Sequence, residues 1–435
     1  MNQGPRLVSS PELGAPPPPT SNVPHRLPTT SSPWFVLTLA IIVGALTGPG
    51  QTFGVSVFVD HIVTDLALSR SGVATAYLIG TLIGAVLQPA VGSLVDRFGV
   101  RKAQAVLGVA FGVALMNMSY VDGFVWLVLG FAGIRFLGQG ALTMVATVTV
   151  QVAFNRRRGV ALGIHTTVVS ALIACSPLVL ALLINAYGWR TAWLLCGLVV
   201  GVTISPIALL GLRHIGAARE RDTPVQDVGR VCRSAKSATA FTRREALRTA
   251  QFWMLASVVG ASALMVTSFN FHQIDLLGRA GFSEGEAAAL FLPQVIGSSI
   301  AGLAFGVLSD RMGVRFLPAV AMLALIGAQL VATVVRPGAS VVAFALFVGL
   351  TQGAMRASFV TVVPAWFGIA HVGAISGVLT LVMVSASAIG PLAMTLLVDA
   401  TGTYASALLI LLIVPLLALA LALGPNQPPR GLSST

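Results

Sequence analysis

From Trp34 onward the chain alternates long apolar runs with short polar breaks. Twelve runs have the length a helix needs to cross a bilayer. They lie at about 34–58, 73–95, 103–121, 125–153, 160–184, 191–212, 250–273, 286–308, 317–335, 340–363, 373–397 and 404–423. Each predicts a helix, because hydrocarbon offers backbone N–H and C=O groups no partner outside the segment itself. The one long polar stretch between runs, 213–249, separates the sixth from the seventh. The pattern predicts an all-α polytopic membrane protein of about twelve transmembrane helices in two six-helix bundles, 34–212 and 250–423. Residues 1–33, with Pro16 to Pro19, read as a disordered cytosolic tail, and 424–435 as a second cytosolic tail. The linker 213–249 reads as a tether. The alternative for its part from about Ser234 to Arg248 is a basic helix on the membrane surface.

The two bundles share a phrase. Gly92-Ser-Leu-Val-Asp96-Arg97-Phe-Gly99-Val-Arg101-Lys102 returns 214 residues later as Gly306-Val-Leu-Ser-Asp310-Arg311-Met-Gly313-Val-Arg315. The same offset carries Gly163 onto Gly377, Ser176-Pro177 onto Gly390-Pro391 and Gly188 onto Gly402. A duplicated hydrophobic unit with an even number of spans gives two halves of the same orientation, a common plan of membrane carriers. In each phrase the first glycine permits close helix approach. The later one, Gly99 or Gly313, suits a turn with positive φ. Asp96 and Asp310 can accept charge-assisted hydrogen bonds from neighbouring arginines or helix N-terminal amides.

Composition agrees with the pattern. Hydrophobic residues make up 56%, charged residues 9%, and mean hydropathy is +0.89, too few charges to cover a soluble domain of this length. The net charge of +12 raises the question of nucleic acid, and its distribution answers it. With both termini in the cytosol, 20 basic residues fall on that side and 4 (Arg70, Arg190, Arg279 and Arg336) on the other. That asymmetry is the positive-inside rule. The expected partners are the bilayer, a small-molecule substrate and a co-transported proton, with no nucleic acid and no cofactor. The expected location is a plasma (inner) membrane, with a monomer as the working unit. Cys175, Cys196 and Cys232 form no disulfide or metal spacing. No cleavage site accompanies a short apolar segment, so the first span is expected to stay uncleaved. No nucleophile elbow, phosphate loop or metal-ligand cluster points to an enzyme.

These residues carry a resemblance. The repeated phrase is similar to the Gly-x-Leu-x-Asp-Arg-x-Gly-x-Arg-Lys motif of the major facilitator superfamily, complete at Gly92 to Lys102 and nearly so at Gly306 to Arg315. More locally, Arg157-Arg158-Gly159-Val-Ala161-Leu-Gly163, Tyr187-Gly188-Trp189-Arg190, Phe252-Trp253 and His272-Gln273 resemble the oxalate/formate antiporter and monocarboxylate transporter branch. The resemblance implies twelve helices, alternating access, and a gating role as a cytosolic latch for Asp96, Arg97, Gly99, Arg101, Asp310, Arg311, Gly313 and Arg315. It also places Arg135, Gly138 and Gly140 on the family's Arg-x-x-Gly-x-Gly pattern in helix four. Transporters of the resembling branch carry an anion-binding arginine in helix eight. Here helix eight has no charge within it, and Gly302 falls near that place. The Gly-Pro pair of cation-expelling drug antiporters reads Ser176-Pro177.

Candidate substrate contacts are the polar groups inside spans. Arg135 and Arg356 are the two charges there, each with a glutamine one turn away, Gln139 and Gln352. An arginine at a helix centre costs roughly 2.5–3.5 kcal/mol on insertion scales, so each is expected to face a wet cavity or a partner. No Asp or Glu lies deep in any span. Two guanidiniums without a buried acid make an interior that holds an anion. Arg135 has a structural or coupling role as an equal alternative, and Arg356 snorkelling to the interface as its own. His165, Gln51, Asn270 and His272 are further candidates, and Gly48-Pro49-Gly50 is expected to break the first helix. The reading is a secondary transporter of small organic anions, carboxylates foremost. An exporter of hydrophobic or zwitterionic compounds, or a non-transporting membrane sensor of the same fold, are the alternatives.

Overall fold

The computed structural model describes residues 32–154, 158–213, 241–312, 314–368 and 371–424. The first apolar run forms a broken passage: α1 (Pro33–Ala45), a 3-10 turn Gly48–Gly50, and short helices Thr52–Ser56 and Val59–Asp65. Pro49 has no N–H to continue α1. Gly54 folds back so closely that a β-carbon there would sit 2.4 Å from the Gly48 carbonyl oxygen. Eleven further helices are long and apolar enough to cross a membrane. They are α2 (Arg70–Val95), α3 (Arg97–Met118), α4 (Phe124–Ala153), α5 (Gly159–Tyr187), α6 (Trp189–Gly211), α7 (Ala250–Arg279), α8 (Glu284–Phe305), α9 (Val314–Ala332), α10 (Ala339–Phe367), α11 (Val372–Thr401) and α12 (Tyr404–Leu423). With the broken passage this makes twelve, and no strand occurs among the described residues.

Several helices outrun the apolar runs that predict them. A capped end outside hydrocarbon keeps its hydrogen bonds and stays helical. Ser69 caps α2, its hydroxyl accepting from the Gly72 amide at 3.0 Å. The run expected to end at 273 continues as α7 to Arg279, which brings Asp275 onto a helix. The alternative of a basic surface helix falls only partly on described residues. Within the described residues it is Arg243–Ala246, capped by Thr242 and Glu245. Residues 234–240 lie outside the described ones, as do tail residues 1–31 and 425–435.

The duplication is visible in the packing. Gly188 and Gly402, one repeat apart, both have positive φ (81° and 78°) where α5 turns into α6 and α11 into α12. The related pairs α2–α4 and α8–α10 both close through glycines. A β-carbon at Gly80 would meet Phe131 at 2.7 Å, and one at Gly349 the Gln294 carbonyl at 2.5 Å. Without a hydrophobic drive inside lipid, such small-residue contact is what lets helices approach. At Gly390 of α11 the space is tighter still: a β-carbon would lie 2.2 Å from the Leu264 carbonyl oxygen of α7. Gly390→Ala is therefore expected to force α7 and α11 apart and destabilise the protein by about 1–3 kcal/mol. A lower thermal midpoint in detergent checks this, and an unchanged midpoint contradicts it.

An even number of described passages puts residues 32 and 424 on one face, called the terminal face; the other is the distal face. Side-chain contacts between the halves gather on the distal part of the bundle. Phe53 packs on Phe291 with centroids 4.8 Å apart, and Tyr77 on Phe271 at 4.9 Å. Ala174 joins Phe291 and Val295 in one buried cluster. Towards the terminal face, β-carbons built at Gly159, Gly163, Gly373 and Gly377 would meet nothing within 4 Å. Among the described residues these contacts join the halves distally, and the four glycines face open space.

Candidate functional site

Arg135 opens a π-helical stretch of α4, Arg135–Leu142. Such bulges break the α ladder and re-aim side chains, often at functional sites. Its side chain is 6% exposed. Nε donates to Thr81 Oγ1 of α2 at 3.2 Å, and Nη1 to Thr52 Oγ1 of the broken first passage at 3.0 Å. The guanidinium lies 4.8 Å from the centre of the Tyr77 ring, whose hydroxyl meets Thr52 at 2.8 Å. Tyr77 in turn packs on Phe271 from the other half. No described carboxylate pairs with Arg135. The expectation of two guanidiniums open to one shared vestibule is corrected here: Tyr77 and Phe271 cover Arg135 in this state, because the distal halves are pressed together. Gln139, one turn towards the terminal face, is exposed.

Arg356 of α10 is exposed, yet its tip turns into the bundle. One Nη donates to the hydroxyl of Ser298 on α8, a residue 1% exposed. No described carboxylate pairs with Arg356 either. One turn away, the buried Nε2 of Gln352 has no hydrogen-bond partner. On α10 a guanidinium that reaches a hydroxyl of α8 thus lies one turn from a free amide N–H, groups of the kind a carboxylate or similar anion takes.

The other candidates lie on the first, fifth and seventh passages. Gln51 donates to Thr47 Oγ1 at 3.1 Å and precedes Thr52 in the chain. Asn270 is 5% exposed with an unpaired Oδ1. His165 is 3% exposed and neither ring nitrogen has a hydrogen-bond partner. His272 is 1% exposed, with Nε2 near the Pro391 carbonyl at 3.0 Å and Nδ1 near Tyr404 Oη at 3.2 Å. These contacts tie it to α11 and α12. Thr52, Tyr77, Thr81 and Ser298 were not singled out from sequence, since hydroxyls are common in apolar helices. Only their convergence on an arginine marks them.

Of the repeated phrase, Gly99 has the expected positive φ, 75°. Arg97 lies against its neighbour Phe98, the guanidinium carbon 5.2 Å from the ring centre, and Arg315 is exposed. Arg101 is half-buried, and its Nε has no hydrogen-bond partner among the described residues. Gly313 and the side chains of Asp96, Asp310 and Arg311 lie outside the described residues.

The distal face carries a network that the positions of its charges in sequence did not suggest. Arg70 of α2 pairs with Asp60 of its own half and, at 3.3 Å, with Asp275 of the other. Asp275 also takes Arg279 at 3.2 Å and the Tyr404 hydroxyl at 2.6 Å. His61 and Glu284 face each other across the same seam at 3.8 Å. In contrast, Arg190 binds Asp65 at 2.8 Å and the Ser119 and Val121 carbonyls, all within the first half.

Comparison with known proteins agrees with this architecture. The family model described as Major Facilitator Superfamily matches residues 39–338 and 273–435. Monocarboxylate transporter 11 of Mus musculus is 27% identical over 397 residues, spanning 87% of this chain and 83% of that protein. The oxalate:formate antiporter of Oxalobacter formigenes is 26% identical over 294 residues, 64% of each chain. Among solved structures, a bacterial homolog of the human lysosomal transporter Spinster, in an inward-facing and occupied conformation, superposes with a TM-score of 0.69. It shares 16% identity and covers 90% of this chain and 96% of its own. That likeness concerns the fold.

Proposed function

Because the chain belongs to the major facilitator superfamily, we propose that it is a secondary transporter of small organic anions, carboxylates foremost, working by alternating access. One observation carries the substrate class: Arg356, turned into the bundle, has Ser298 and the free Gln352 amide beside it and no described acid to neutralise it. An unpaired guanidinium among helices is costly. An anionic ligand bound through two N–H donors offsets that cost. Relatives whose names specify monocarboxylates and oxalate with formate support the same class.

In this reading the terminal face is cytosolic, following the 20 to 4 excess of basic residues. The state described is then open to the cytosol and sealed outside, in a plasma (inner) membrane, and the working unit is a monomer. Substrate enters the opening, meets Arg356, Gln352 and Ser298 from the second half and Gln139 from the first, and draws the terminal ends together. Separation of the distal ends pulls Tyr77 from Phe271 and uncovers Arg135 for the opposite side. Each half thereby presents one guanidinium to one side of the membrane. The latch residues Asp96 and Asp310 act on the cytosolic side in the closed-in state, with a proton or a counter-anion as coupling partner.

The test is a thermal-shift screen of purified protein against formate, acetate, lactate, oxalate and succinate, followed by proteoliposome uptake of the best ligand. A ligand at a hundred times its Kd raises stability by about 2.7 kcal/mol. A shift with a carboxylate, then accumulation or exchange, is the expected outcome. Binding without flux would assign a sensor instead. A shift with hydrophobic or zwitterionic compounds alone would overturn the anion reading.

A further inference from the structure

The distal seam holds a crevice of about 380 Å3 lined by Asp60, His61, Asp275, Gly278, Arg279 and Glu284. Its charged groups come from both halves, so the crevice exists only while the distal face is closed. We propose that His61 and Glu284 form a proton-binding latch in this crevice, by which acidity on the distal side favours the distally closed state; the proposal rests on the alternating-access reading.

Three observations support it. First, His61 Nε2 lies 3.8 Å from Glu284 Oε1, and the two residues belong to opposite halves. The pair forms on closing and is lost on opening. Second, Glu284 Oε1 is buried and has no hydrogen-bond partner. It is a carboxylate oxygen lacking a donor, with the imidazole as the nearest cationic group. Third, the neighbouring charges are already committed. Asp275 takes Arg70, Arg279 and the Tyr404 hydroxyl, and Asp60 takes Arg70. His61 is the one group in the crevice whose ordinary titration falls near neutral pH.

Glu284 beside it, with a smaller contribution from Asp60, holds the His61 pKa above its ordinary value. The sign follows by linkage. The cationic imidazole is favoured in the closed state, so closure takes up a proton over the pH range between the ordinary value, about 6.5, and the raised one. Below that range the latch contributes fully to closure. As pH rises through the raised value the contribution is lost. The proton enters from distal water when the halves meet and returns there when they part. The latch therefore sets the resting bias of the carrier without being cargo.

The experiment places spin labels at Thr64→Cys and Ala289→Cys, exposed positions on opposite sides of the seam. The three native cysteines are replaced by alanine, and distance distributions are recorded in nanodiscs without substrate from about pH 5.5 to about pH 8.5. The short-distance population is expected to fall severalfold across that range, with a midpoint above about 6.5. His61→Gln and the conservative Glu284→Gln are each expected to flatten the response, with monodisperse elution confirming that both fold. A response absent from the wild-type protein, or one that keeps its midpoint in both variants, overturns the latch. If distances ignore pH but lengthen in Arg70→Ala, the latch alone falls. If they stay fixed in Arg70→Ala as well, packing rather than charge closes this face and the latch falls, while alternating access is judged by the proteoliposome uptake. Because no carboxylate is present, failure of the anion screen leaves this result standing.

Discussion

Arg356→Ala is expected to lower carboxylate affinity roughly ten- to hundred-fold. A hydrogen bond to a charged group contributes about 1.5–3 kcal/mol, and each 1.4 kcal/mol is a factor of ten. The fold should survive the change, since the side chain is exposed and its described partner is one serine hydroxyl. Removing a charge from the bundle also removes its insertion cost, so expression and thermal midpoint should hold or rise. Arg356→Lys keeps the charge and loses the planar fork, and should recover only part of the affinity. Uptake kinetics and ligand-induced thermal shifts, measured together, check this. Wild-type uptake in Arg356→Ala would remove the residue from the site and with it the main support for an anionic substrate.

The second large effect concerns the distal seal. Arg70 is mostly buried and bridges Asp60 of one half to Asp275 of the other. Arg70→Ala leaves two carboxylates without their shared cation. Breaking a buried pair costs about 3–5 kcal/mol, and the partial exposure of Asp60 reduces this to roughly 2 kcal/mol. That penalty falls on the distally closed state, because only there do the two acids meet. A bias of about 2 kcal/mol moves a conformational equilibrium some thirty-fold. Cysteine cross-linking across the distal seam should become inefficient while labelling from the distal side rises. Asp275→Asn should act in the same direction and more weakly, since Tyr404 and Arg279 can still donate to the amide oxygen. Unchanged distal labelling in Arg70→Ala would show that aromatic packing, not charge, closes this face.

Much of the fold was legible in the chain. An apolar run in lipid has one stable conformation, so the runs specified helices almost without regard to neighbours. Positive φ at Gly99 was equally local, because a turn imposes it on the residue itself. Where the reading fell short, the cause was an end effect. Helices such as α7 extend past the hydrocarbon because caps, not hydropathy, set their limits.

The site divides differently. Sequence alone singled out Arg135 and Arg356, because a charge in an apolar run is conspicuous and expensive wherever it points. Which way each points was decided by tertiary packing. Tyr77 and Phe271, 194 residues apart in the chain, cover the first arginine only because two halves meet there. Ser298 turns the second inward because α8 and α10 close through glycines. The same holds for Arg70, Asp275, His61 and Glu284, which in the sequence are groups near span ends with no visible partner. A one-dimensional pattern records the cost of placing a group in lipid. The partner that offsets this cost comes from another helix, and only the assembled bundle supplies it.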